Sequence, residues 1–222
     1  MKTVAIIPAF NEEKTIGEVV SKSKKYADEI IVIDDGSRDK TSKIAKESGA
    51  RVYRHLINRG LGGALSTGIK VALLSGADII LTLDADGQHD TEEIPQIIKP
   101  IIDGEADFVI GSRFLTPQPM PLFRRLGIPF FNIVAFILFG IRGTDTLCGM
   151  RAFNKKMAQV LEIQSNGMEA VLEMLKKAQI NKFIVKEVPI KAIYTQYSLS
   201  KGLRFLPGIK FLMKLFTSKI IK

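Results

Sequence analysis

Five short strand-like runs, all but the third largely apolar, lie in the first 111 residues, at 3–7, 29–34, 51–54, 78–84 and 107–111, with helical patterns between them at 13–25, 39–48, 61–75 and 91–102. The runs have strand length and the patterns have helix length. Asp39 can cap the second helix, while Gly49 and Gly76 stop the second and third. Strands alternating with helices predict an α/β sandwich with a mostly parallel central sheet. In such a sheet ligands bind beyond the carboxyl ends of the strands, where the strand order reverses. The segments that follow the runs are therefore where chemistry is expected.

Those segments are polar and distinctive. After the fourth run comes Asp84-Ala85-Asp86-Gly87-Gln88-His89. Two carboxylates two residues apart at a strand end can reach one hard cation, Mg²⁺ or Mn²⁺, which substrate phosphates then complete. After the first run comes Pro8-Ala9-Phe10-Asn11-Glu12-Glu13, in which Pro8 is expected to stop the strand. After the second comes Asp34-Asp35-Gly36-Ser37, whose carboxylates could accept bonds from a nucleoside. Asn58-Arg59-Gly60-Leu61-Gly62-Gly63 opens the third helix, and its glycines permit close backbone approach. It is not a dinucleotide fingerprint, because it follows the third strand and lacks the final glycine. Each cluster taken alone also reads as an ordinary turn or helix start.

The second half is different. Residues 116–121 form a Pro-rich loop, and residues 126–141 carry no charge although Arg124, Arg125 and Arg142 flank them. A spanning helix needs roughly 20 apolar residues. This shorter run, interrupted by Pro129 and Gly140, predicts an interfacial or buried hairpin, with a plain core helix as the alternative. Helices are expected over 153–162 and 166–178, and an edge strand over 183–190 because of Pro189. Residues 207–222 read as an amphipathic basic helix following a domain over 1–206. The formal net charge is +9, and no acid follows Glu187. Such a tail suits an anionic membrane surface; nucleic acid is not the expected partner.

In order along the chain, IIPAFNEEKTI, IVIDDGSRDKT, NRGLGGAL, LTLDADGQHD, FVIGSRF and DTLCGMRAF, with YSLSKG more loosely, resemble the family-2 inverting glycosyltransferases of GT-A fold. The nearest branch is that of dolichol-phosphate mannosyltransferases and polyprenyl-phosphate glucosyltransferases. The resemblance implies a GDP- or UDP-linked sugar donor, a polyprenyl phosphate acceptor and Mg²⁺ or Mn²⁺. It assigns Asp84, Asp86 and Gln88 to the metal and donor diphosphate, with Ala85 among them, and Asp86 to catalysis. Pro8, Ala9, Asn11, Glu12, Asp35, Gly36, Asn58 and Gly62 would line the nucleotide-sugar pocket. Arg113 and Arg125 would meet the acceptor phosphate, and Ser200-Lys201 would lie on a mobile loop near the donor phosphates. Mannosyltransferases of this branch often carry an arginine shortly before the Ser-Lys pair; Tyr194-Thr195-Gln196-Tyr197 has none.

A lipid phosphate is already anionic, so it needs positioning and no protein base. A hydroxyl acceptor, soluble or on a glycan, would need a carboxylate base, for which Asp145 is the candidate. A nucleotide-binding membrane adaptor without turnover is a third reading, disfavoured by the intact Asp84, Asp86 and Gln88 set. The first apolar run is too short for a signal-peptide core, and Cys148 is the sole cysteine. Both fit a cytoplasmic protein peripheral to the cytosolic membrane face.

Overall fold

The computed structural model describes residues 1–197. Lys201 and the helix expected over 207–222 lie outside the described residues. Seven strands form one sheet: β1 (Thr3–Ala9), β2 (Glu29–Asp34), β3 (Arg51–Arg54), β4 (Ile79–Thr82), β5 (Phe108–Ser112), β6 (Arg151–Asn154) and β7 (Val185–Pro189). Their order is β3-β2-β1-β4-β6-β5-β7. All neighbours run parallel except β6, which is antiparallel to both β4 and β5. The expected mostly parallel α/β sheet is therefore present, with β7 at its edge.

The strand interiors VAII, IIVI and IILT are buried on both faces, as continuous apolar runs in a covered parallel sheet must be. Helices α1 (Ile16–Ser23), α2 (Thr41–Glu47), α3 (Gly60–Leu74) and α4 (Ile94–Ile102) connect the first five strands. Helix α3 packs over β1 and β2, and α4 over β5 and β6. The strand order reverses around β1, which has β2 on one side and β4 on the other. That switch point brings the chain after β1 beside the chain after β4.

Three sequence expectations need correction. Pro8 does not stop β1, which continues to Ala9. The pairing of β1 with β4 ends at Ile6 and Thr82, and beyond it the flank that Pro8 faces has no ladder bond for its missing N–H to break. Residues 153–162 are not all helix: Arg151–Asn154 is strand β6, and α6 occupies Lys155–Val160. Four residues are too few to show a two-residue period. Finally, the apolar run is no hairpin: up to Phe139 it belongs to α5 (Leu122–Phe139), one 18-residue helix. Pro129 lies half-buried within it, and Gly140, at φ 68°, closes it in the left-handed conformation glycine favours. Helix α7 spans Glu169–Ile180.

Helix α5 buries Arg124, Ile128, Ala135 and Phe139. Its outer face is also apolar: Leu122, Leu126, Phe130, Ile133 and Ile137 are each more than half exposed. Their spacing of three and four residues makes one continuous stripe.

Candidate active site

The turn after β4 is built around two carboxylates. The Asp84 carboxylate accepts a hydrogen bond from His89 Nε2 at 3.0 Å, and His89 itself is buried. Burial works to raise the Asp84 pKa, but the His89 contact and the charges of Arg113 and Arg151 hold it below its ordinary value. The Asp84 side chain is 43% exposed, so its partners outweigh desolvation. Asp86 shifts the other way: burial first, and then the Asp84 charge, push its carboxyl up. Two like charges brought this close, with one reluctant to ionise, are the electrostatic mark of a site that suits a cation. Among the described residues no third His, Cys, Asp or Glu joins them as a metal ligand. Two carboxylates plus substrate phosphates is the donor set Mg²⁺ accepts readily. Ala85, between them, is buried.

Gln88 was expected beside the metal. Its amide nitrogen donates to Asp86 Oδ2, and its Oε1 accepts from the Arg124 guanidinium. The amide thus bridges Asp86 to α5. Arg124 is the residue that sequence reasoning missed. It sits buried with its guanidinium 5.1 Å from the Tyr194 ring centroid. Only the phase of α5 distinguishes it from Arg125, and that phase is set by Ile128, Ala135 and Phe139 turning inward.

Behind Asp84 lies the strand β6 loop. Thr82 Oγ1 donates to the Gly149 carbonyl at 2.7 Å. A Cβ on Gly149 would overlap both Asp84 carboxylate oxygens. Fully buried Arg151 ties the loop down by donating to the carbonyls of Thr146, Cys148 and Val171 at 2.6, 2.7 and 2.6 Å. Burial lowers its pKa to about 10, so it remains cationic at neutral pH, and the same burial pushes the Cys148 thiol up to about 12. Gly149→Ala is therefore expected to displace Asp84 and cut turnover at least 100-fold, or about 2.7 kcal/mol. Circular dichroism and melting temperature should change little; normal turnover in Gly149→Ala would refute the close packing.

Arg113 and Arg125 line one cavity of about 480 Å³ together with Phe114, Gln118 and Met120. Arg113 also forks onto Asp145, with Nε to Oδ2 at 2.6 Å and Nη2 to Oδ1 at 2.7 Å. Burial opposes the Arg113 charge, but the Asp145 pair raises its pKa above the ordinary arginine value. Asp145 is wholly buried, so this carboxylate has a structural duty.

The chain after β1 folds against that after β2. Asn11, at φ 55°, accepts from the Arg38 N–H at 2.9 Å and donates its own N–H to Ser37 Oγ at 2.9 Å. Glu12 is buried and accepts from the Tyr197 hydroxyl at 2.8 Å. Pro8 lines a small cleft with Thr82, Asp84 and Gly149, and Ala9 is buried. Asp35, expected to face a nucleoside, accepts from the N–H groups of Arg59 and Gly60 at 2.8 and 2.7 Å and from His55 Nδ1 at 2.7 Å. It neutralises the positive end of α3. Gly36 abuts the backbone of Ile57 and Asn58. The Asn58 side chain accepts from the Gly60 N–H at 3.2 Å. Gly62 does permit a close approach, but the approaching group is the Ser165 carbonyl of this chain.

A strap over residues 190–197 joins these parts. The Ile193 N–H donates to the Gln88 carbonyl at 2.8 Å, and the Ala192 N–H to Gln118 Oε1 at 2.9 Å. Tyr197 then reaches Glu12, so one segment touches the carboxylate turn, the arginine cavity wall and the loop after β1.

The model of glycosyl transferase family 2 matches residues 4–161. A UDP-N-acetylglucosamine–dolichyl-phosphate N-acetylglucosaminyltransferase of Methanococcus voltae is 39% identical over 240 residues, spanning 98% of this chain and 96% of that protein. A dolichol-phosphate mannosyltransferase of Pyrococcus furiosus is 32% identical over 202 residues, 85% of this chain and 56% of its own length. Among solved structures, glucosyl-3-phosphoglycerate synthase of Mycobacterium tuberculosis, in complex with Mn²⁺, uridine diphosphate and glucosyl-3-phosphoglycerate, has a TM-score of 0.73. That likeness covers 97% of this chain and 78% of the other at 20% identity, and is one of fold, the GT-A type. The matched family model spans both the paired aspartates and the arginine loop, and the chain belongs to glycosyl transferase family 2 and is a glycosyltransferase.

Proposed function

We propose that this enzyme transfers a sugar, with inversion, from a nucleoside-diphosphate sugar to a polyprenyl phosphate at the cytosolic membrane face. One observation carries the choice of acceptor. Asp145, the carboxylate that a hydroxyl acceptor would need as its base, has both oxygens held by Arg113. Next to the paired aspartates the described residues therefore offer cations, with the candidate base Asp145 committed to Arg113. An acceptor that is already an anion fits that balance.

The residues divide the work. Asp84 and Asp86 would hold Mg²⁺ or Mn²⁺, which when bound neutralises charge on the leaving diphosphate. Gln88 and Arg124 keep Asp86 oriented. Arg125, with Arg113 behind it, positions the acceptor phosphate for approach to the anomeric carbon from the face opposite the diphosphate. One displacement of this kind inverts the anomeric centre. The loops after β1 and β2 hold the nucleoside, and Lys201 serves the donor phosphates. The Methanococcus voltae relative and the missing arginine before Ser200 favour UDP over GDP and N-acetylglucosamine over mannose.

Helix α5 supports the membrane reading. Its 18-residue window has a mean hydropathy of 1.7. At 1.5 Å per residue it is about 27 Å long, close to the bilayer's hydrocarbon thickness. Its inner residues tie it to the enzyme body, so it lies along the membrane with its apolar stripe in the interface. The arginine cavity, at its N-terminal end, then sits at headgroup depth.

The test is turnover of radiolabelled UDP-N-acetylglucosamine and GDP-mannose with a short-chain polyprenyl phosphate or with simple glycan hydroxyls. The expected product is an acid-labile lipid-linked sugar phosphate. Arg125→Ala should raise the acceptor KM by about 10- to 100-fold, the worth of a charge-assisted hydrogen bond, and leave nucleotide affinity unchanged. Transfer only to hydroxyls would overturn the reading.

A further inference from the structure

We infer that the cavity at the C-terminal end of α5 binds the headgroup of an anionic bilayer phospholipid, distinct from the acceptor, and fixes how the enzyme sits on the membrane. The inference rests on the membrane reading of α5. This cavity, about 570 Å³, is lined by Phe136, Ile141, Leu175 and Phe183, with Arg142 and Lys182 as its charged residues. Among the described residues no acidic one lines it. Neither cation forms an ion pair among the described residues. An apolar wall under two cations complements a lipid phosphate with its chains attached, and a free phosphate would leave the wall unused.

Two further features fit. The Arg142 guanidinium lies 5.5 Å from the Phe136 ring centroid, which restrains it at the cavity mouth. Lys182 occupies the left-handed region at φ 58°, where glycine is the easy choice, so a lysine sits there against the local backbone preference. The surroundings continue the apolar stripe of α5: Ile137 is 72% exposed on one side, and Ile180 and Ile184 are 63% and 55% exposed on the other. Arg125 and Arg142 are separated by nearly the whole length of α5. Cationic pockets at both ends of a membrane-facing helix would set its direction as well as its depth.

The left-handed backbone also supplies a safe variant. Lys182→Gly removes the charge at a position that suits glycine, so its melting temperature should equal or exceed that of wild type. The full chain is titrated calorimetrically with dihexanoyl phosphatidylglycerol, dihexanoyl phosphatidylcholine and glycerol 1-phosphate, all below micelle formation. Wild type should bind the phosphatidylglycerol at least tenfold more tightly than the other two. Arg142→Gln with Lys182→Gly should erase that preference and keep wild-type turnover in detergent with a short-chain polyprenyl phosphate. An unchanged preference in this double variant overturns the site. So does glycerol 1-phosphate binding as tightly as the lipid, or loss of detergent turnover in the folded variant. Vesicle sedimentation separates this from the membrane reading. If wild type sediments with anionic and neutral vesicles alike, and the calorimetric preference is absent, the lipid site fails while α5 still docks. If it binds the soluble lipid at this site but sediments with no vesicle, the membrane reading fails instead.

Discussion

Asp86→Asn should lower turnover by on the order of 1,000-fold, about 4 kcal/mol of transition-state stabilisation, without unfolding the protein. Asn keeps the shape of the side chain and one of the two oxygens that accept from Gln88, but removes half of the charge available to a divalent cation. Excess EDTA should give a comparable loss in wild type; full activity in EDTA would remove the metal from the mechanism. Stability gives a second, independent readout. Burial and the Asp84 charge raise the Asp86 pKa in the folded protein. A raised carboxyl pKa means that the native state holds a proton which the unfolded chain has lost. Stability contributed by this group is therefore full at low pH and declines as pH rises from the ordinary carboxylate pKa through the raised folded one. Asp86→Asn lacks that decline. In EDTA at neutral pH it should melt at or above wild type, with the difference shrinking on acidification. A variant that melts lower at every pH would contradict the repulsion between Asp84 and Asp86.

Asp145→Ala should cost about 3–5 kcal/mol, because it strands the largely buried Arg113 guanidinium without a counter-charge. The midpoint of chemical denaturation reads the loss. Replacing both members, Arg113→Met with Asp145→Leu, should recover part of it, since no buried charge remains alone. A single variant within 1 kcal/mol of wild type would show the pair to be dispensable. If Asp145→Ala stays fully stable yet loses turnover about 1,000-fold, Asp145 is the base after all, and the hydroxyl-acceptor reading replaces the lipid-phosphate one.

The two variants probe different layers of one site. Asp86 lies in a turn whose sequence announces its chemistry. Asp145 lies in a GTDT segment that reads as a turn, and only its packing against Arg113 gives it weight. Glu187, from strand β7, holds that segment by accepting from the N–H groups of Thr144 and Asp145 at 2.8 and 3.1 Å. The contact joins positions 42 residues apart, which no local pattern displays.

By itself, the sequence determined the alternation of strands and helices, the parallel sheet they imply, and the paired carboxylates at one strand end. These are local properties: apolar run length, the 3.6-residue period of helices, and turn residues read directly from neighbours. It also determined that the edge strand would carry Pro189, whose missing N–H suits an edge. The tertiary structure alone decided that Pro8 continues β1, because β4 has already left its flank, and that RAFN is an inserted antiparallel strand. It decided which of two adjacent arginines turns inward, because the phase of α5 is fixed by packing against a core that its own uniformly apolar sequence cannot specify. It also gave Asp35 and Gly62 partners within the chain, by placing the N–H groups of Arg59 and Gly60 against one and the Ser165 carbonyl against the other. A residue type and its position fix what a side chain can do; the partner that takes up its hydrogen bonds comes from across the fold.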